Sequence, residues 1–159
     1  YLNVGFYDGD KFHHTERAQL EGGGFLSNFG VGSRAPKPVI EEHGTDEAMQ
    51  EFVDPLADLG DKVTKLSTEL GMKAMGNADE VGAAAVDYLR ICGHLVFAWF
   101  WARMAQVALG KQDSGDAFYR AKLATARFYF AKLLPETAGL VRSVRSGVAP
   151  LMAMDEALF

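Results

Sequence analysis

From Asp46 onward the apolar residues of this chain fall into step. Met49, Phe52, Val53, Leu56, Leu59, Val63, Leu66 and Leu70 recur at intervals of three and four, the spacing that gathers side chains on one face of an α-helix. A stripe of that length commits the segment to a helix whose apolar face must be buried against something else. Thr45 or Asp46 can cap its start, with acidic residues in the first turn where the helix dipole favours them. Pro55 lies inside the stripe, and a proline there predicts a kink or a break.

The next start signal is Asn77-Ala-Asp-Glu80, a cap residue with glutamate three positions on. It predicts a second helix from about Ala78 to Leu109, closed by Gly110 and the stretch from Lys111 to Gly115. Within it, Tyr88 to Ala102 is apolar nearly all round. That run is short for a membrane span and carries Arg90 and His94, so the expectation is the central helix of a core, with no membrane span. A third helix is predicted from Asp116 or Ala117 to Leu134. Tyr119, Leu123, Ala126, Phe130 and Leu133 face inward, and the stripe continues beyond Pro135 through Thr137, Leu140, Val141 and Val144. Pro135 predicts a kink, or a break with restart. Long helices with short connections pack antiparallel. The expected fold is therefore all-α: an up-down bundle of three long helices over residues 46–159, with a short C-terminal helical segment.

Residues 1–45 read differently. Eight glycines up to Gly44, together with Pro36 and Pro38, disfavour helix and mark turns or extended chain. This first region is expected to be a glycine-rich irregular arm. Its aromatic residues, Phe6, Tyr7, Phe12, Phe25 and Phe29 among them, could anchor it on the bundle, on a partner, or on a domain outside this sequence. The sequence opens on Tyr1 rather than Met and shows no basic-then-apolar export signal. A processed chain or a fragment would both explain this, and a fragment is the expectation.

The formal charge of −5 argues against a general nucleic-acid binder, which needs a basic footprint. The charge is uneven. Acidic side chains outnumber basic ones fifteen to seven up to Glu80, whereas nine basic face six acidic beyond it. Two oppositely charged faces of one bundle, or a docking surface for an anion, would both fit. Cys92 is alone, so no internal disulfide can form, and its apolar surroundings suit an inert buried thiol. A lone thiol fits a reducing compartment, and a cytoplasmic location is the expectation.

Each candidate for chemistry has a plainer reading beside it. His13, His14 and His43 could suggest a metal, but adjacent histidines diverge in regular structure and no carboxylate-histidine motif accompanies them. Gly22 to Ser33 is rich in glycine yet lacks the lysine ending of one phosphate loop and the strand-then-helix setting of the other. His94 should be a core histidine bonded to a neighbouring helix, because an unpaired buried imidazole is costly. Arg103 could pair with Asp87 or Asp116. Arg120 and Arg127, with Lys132, could receive a phosphate or carboxylates, or simply be a solvated face. Trp99, Phe100, Trp101, Phe118, Tyr119, Phe128, Tyr129 and Phe130 should supply most of the core's contact area. Eight rings cannot all point inward from two helices, so some are expected to form an exposed apolar patch. No catalytic, cofactor-binding or metal residue is assigned from the sequence.

Four stretches, taken in order, carry a family resemblance: Asp79-Glu-Val-Gly-Ala-Ala-Ala-Val-Asp-Tyr-Leu-Arg90, Ala98-Trp-Phe-Trp-Ala-Arg-Met-Ala105, Phe118-Tyr-Arg-Ala-Lys-Leu-Ala-Thr-Ala-Arg-Phe-Tyr-Phe130, and the tail Met154-Asp-Glu-Ala-Leu-Phe159. From about residue 46 to residue 159 the chain resembles the C-terminal accessory helical domain of the acyl-CoA dehydrogenase family, in the bacterial branch that has this extra domain. The resemblance implies a parent flavoenzyme that oxidises fatty-acyl or related acyl-CoA, with FAD in the parent and none expected on this chain alone. It implies as partners the parent's dehydrogenase domains, and a homo-oligomer. Whether this chain is itself an enzyme stays open; a noncatalytic role supporting the dehydrogenase core and subunit contacts is the expectation. Tyr7-Asp8-Gly9-Asp10 echoes a Tyr-Glu-Gly-Thr motif of the family with two changes, and no catalytic role passes to Asp8. The alternative is a free-standing helical interaction protein, or one that holds an apolar ligand between its helices.

Overall fold

The computed structural model describes residues 5–8, 11–14, 46–154 and 157. Three rods of about thirty residues form the body. The first is α1 (Glu47–Gly76) and the second is α2 (Asp79–Leu109). The third is built in pieces: α3 (Ala117–Phe128), a π-helical turn (Tyr129–Leu133), a 3-10 turn (Leu134–Glu136) and α4 (Thr137–Ser146). A single turn, α5 (Ala149–Met152), closes the chain. This is the all-α bundle that the periodicity predicts.

The caps follow the sequence. The Asp46 carboxylate accepts from the Ala48 N–H at 3.1 Å, Asn77 Oδ1 from the Asp79 N–H at 3.0 Å, and Asp116 Oδ1 from the Phe118 N–H at 2.8 Å. Only Asn77 and Ala78 separate α1 from α2, which forces the two helices antiparallel. The ion pairs Glu51–Arg127 and Glu69–Arg145 each join positions 76 residues apart, so the third rod runs parallel to α1. The result is up-down-up.

Two proline expectations meet different outcomes. α1 runs through Pro55 without interruption. Proline leaves the Glu51 carbonyl without its helical donor, but Phe52, Val53 and Leu56 around it are 0–2% exposed, and their packing holds the helix together. At Pro135 the helix does change character. The Leu134 N–H reaches back to the Tyr129 carbonyl, five residues away, so one extra residue enters the turn. That shifts the inward face. Leu134 is buried at 6% and Leu133 is 45% exposed, which corrects the expectation that Leu133 is a core residue.

The core is less aromatic than expected. Phe118, Phe128 and Phe100 are half exposed or more, and of the eight rings only Tyr129 and Phe130 are buried. The inner side of α2 is instead paved with Ala84, Ala98, Ala102, Ala105 and Ala108, all at most 1% exposed. Small side chains there let α1 and the third rod approach closely. Phe52, Met49, Leu56 and Leu66 of α1 fill the space, each contributing about 1.5–3 kcal/mol by burial. Phe52 meets Phe130 edge to face, centroids 5.4 Å apart.

The arm is not wholly irregular. Strands β1 (Gly5–Asp8) and β2 (Lys11–His14) pair antiparallel with Phe6 opposite His13 and Asp8 opposite Lys11. In the sequence, the Gly9-Asp10 dipeptide between these two strands is a hairpin signal. Gly22–Ser33 and His43 lie outside the described residues.

Candidate functional site

A polar cluster lies where α2 crosses the irregular part of the third rod. Tyr129 sits in the π-helical turn, 5% exposed. Its hydroxyl donates to the backbone carbonyl of His94 at 3.0 Å and lies 3.1 Å from His94 Nδ1. The His94 carbonyl and the Glu136 carboxylate can only accept, so the tautomer of the ring decides which atom donates between Nδ1 and the phenol oxygen. On the ring's other side Nε2 stands 3.2 Å from Glu136 Oε2, and Arg90 pairs with the second oxygen of Glu136. Trp101 stacks over Tyr129 with rings 6.3 Å apart. His94 is thus the bonded histidine that the sequence predicts. Its partners Tyr129 and Glu136 were not predicted, since they lie 35 and 42 residues away and the π turn sets their phase.

A carboxylate, an imidazole and a phenol in line have the layout of a proton relay. The end group argues against that use. Burial pushes the Tyr129 phenol up to about 12, so it is a poor acid near neutrality, and its proton is held by a backbone carbonyl. The cluster clips α2 to the third rod at the point where that rod loses regular helical bonding.

The other candidates are also committed to structure. Arg127 forms a fork with both oxygens of Glu51, at 2.7–3.0 Å, and is not free for a phosphate. Asp87 accepts from Ser143 at 2.5 Å and Asp116 caps α3, so neither takes the Arg103 pair that the sequence allows. Burial pushes the Cys92 thiol up, away from the thiolate that a nucleophile needs. The Ser67 and Tyr88 hydroxyls meet at 2.6 Å beside it. Among the described residues no group of His, Cys, Asp and Glu is placed to hold a metal.

A flavin needs a cleft of several hundred Å³ with converging polar groups. The groove between Leu66, Lys73 and Arg145 encloses about 10 Å³, room for one water at most, and the described residues do not fit a flavin there. By length and composition α2 could cross a membrane, but one side of it is the spine of the bundle core and Arg90 is ion-paired.

Residues 36–155 match the family described as "Acetyl-CoA dehydrogenase C-terminal like". The chain belongs to this family. The match begins ten residues before Asp46, inside the segment read as arm. This chain is also similar to the broad-specificity linear acyl-CoA dehydrogenase FadE5 of Mycobacterium tuberculosis, 34% identical over 89 residues, which are 50% of this chain and 14% of that protein. The chain therefore spans a small part of the length of the curated relative it matches. Both findings bear out the resemblance to a C-terminal domain of an acyl-CoA dehydrogenase-like protein.

Proposed function

We propose that this chain is a noncatalytic accessory domain of an FAD-dependent acyl-CoA dehydrogenase, packing on the parent's dehydrogenase domains and contributing to subunit contacts. One observation carries the reading. The polar side chains capable of chemistry bind one helix to another, while large apolar residues of α2 stand exposed: Val86 at 78% and Leu89 at 72%. Chemistry turned inward and an apolar face turned outward suit a domain that docks. The hydride transfer is the flavin's, on polypeptide outside this bundle. The alanine-lined inner side of α2 draws the rods together, the opposite of what a bundle holding an apolar ligand between its helices requires.

The test is purification of the chain alone, followed by its flavin absorption spectrum and turnover of acyl-CoA with an artificial electron acceptor. The expected result is no bound flavin and no turnover. Stoichiometric flavin with turnover would overturn the noncatalytic assignment.

A further inference from the structure

The outer side of α2 carries a stripe without a charged residue. It repeats on eleven: Gly82, Gly93 and Met104 in one row, Val86 and Phe97 in a second, Leu89 and Phe100 in a third. Eleven residues make close to three turns, so such a pattern keeps to one line along the helix. Phe97 is 57% and Phe100 50% exposed, beside the still more exposed Val86 and Leu89. From Gly82 to Met104 the stripe runs about 33 Å at the helical rise.

The two glycines are a second observation. Glycine inside a helix costs about 1 kcal/mol against alanine. A Cβ at Gly82 or Gly93 would meet nothing within 4 Å, so no neighbour among the described residues requires their bareness. What glycine on an outer helical line permits is close approach by another backbone.

The pattern selects the occupant. Set two α2 helices antiparallel with Gly93 on the two-fold axis, and Gly93 meets Gly93. Leu89 then meets Phe97, Val86 meets Phe100 and Gly82 meets Met104. The smaller residue faces the larger throughout, as a self-complementary two-fold contact requires. Arg103 falls opposite Ala83 and Arg90 opposite Val96, so no like charges meet. The exposed apolar surface is on the order of 500 Å² per copy, at the upper end of what a lone monomer carries. A stable interface takes roughly 800 Å² per partner, so polar residues flanking the stripe must supply the remainder.

We propose that two copies of this chain associate through antiparallel α2 helices centred on Gly93. This rests on the subunit-contact part of the proposed function and names its seam. The test is sedimentation equilibrium of the full chain, with Phe97→Glu as the variant. A dimer is expected, with its dissociation constant raised at least about thirtyfold by the substitution and the helical circular dichroism unchanged, since Phe97 is exposed. The register is read by Gly93→Cys in a Cys92→Ser background, which should oxidise to a disulfide-linked dimer. Val107→Cys in the same background should not, because its counterpart is residue 79. A monomer at all concentrations, a monomer that instead sediments with lipid vesicles, or a dimer that Gly93→Cys fails to cross-link would each overturn the proposal. None of these outcomes touches the noncatalytic assignment, which stands or falls on bound flavin and turnover.

Discussion

Replacing Tyr129 by phenylalanine removes one oxygen from the centre of the α2 clip, and the consequence depends on pH. At neutral pH the substitution takes away the donor to the His94 carbonyl and the hydrogen-bond partner of Nδ1, a loss of about 1–3 kcal/mol when buried polar atoms are left unpaired. The alkaline limb is more diagnostic. In the unfolded chain the phenol ionises near its ordinary value of 10, whereas in the folded chain it is pushed up to about 12. Between those values the unfolded state gives up its proton first and is favoured. The stability supplied by the neutral phenol is therefore complete below pH 10 and is lost as the pH climbs through 12. Two pH units correspond to roughly 2–3 kcal/mol. Urea unfolding followed by circular dichroism between pH 7 and pH 12 measures it. Tyr88, whose phenol burial also pushes up, titrates in both proteins and drops out of the difference. The gap between wild type and Tyr129→Phe should shrink by that amount as the pH rises from 10 to 12. A gap that stays constant across the range would refute the assignment of a buried, proton-donating Tyr129.

Phe52→Ala opens a cavity against Phe130 and should cost about 3–5 kcal/mol in urea unfolding at pH 7. Gly147 has φ 70° and ψ −165°, a region open essentially to glycine alone, and a Cβ there would lie 2.7 Å from Glu80 Oε2. Gly147→Ala should cost about 1–3 kcal/mol from the backbone alone, with the part due to the clash recovered in the Glu80→Ala, Gly147→Ala double variant, read by thermal unfolding of all four proteins. Asp46→Ala should cost about 1 kcal/mol through the lost α1 cap, measured the same way. Cys92 should react with a disulfide reagent at pH 7 many times more slowly in the folded chain than in urea, because burial raises its thiol.

The rods were legible in the sequence because their determinants are local. The α1 stripe, the Asp46 and Asp116 caps and the Asn77 start signal each lie within a few residues of what they control. At Pro55 the helix continues without a break, because the packing of Phe52 and Leu56 that holds it there is a tertiary fact. Leu133 falls inward only if a single 3.6-residue period runs across Tyr129–Leu133, where the chain takes in one residue more. The alanines of α2 carried too little apolar weight to stand out beside Trp99 and Trp101, yet they decide where the helices touch. The polar cluster was half visible: His94 announced a need for a partner, but nothing near it in sequence named Tyr129 or Glu136. The hairpin signal at Gly9-Asp10 was present and was masked by the glycines that follow it.

The widened turn at Tyr129 absorbs a residue, because the Leu134 N–H takes the carbonyl that an ordinary helix would offer one position earlier. Removing one residue from that turn would let an ordinary helical bond close across it and leave Val141, Val144 and Arg145 close to their present phase against the other two rods. The same deletion early in α4, where no wide turn can take it up, would rotate Val144 and Arg145 by about 100°. The third rod thus holds a built-in tolerance for a change of length at one point and none beside it.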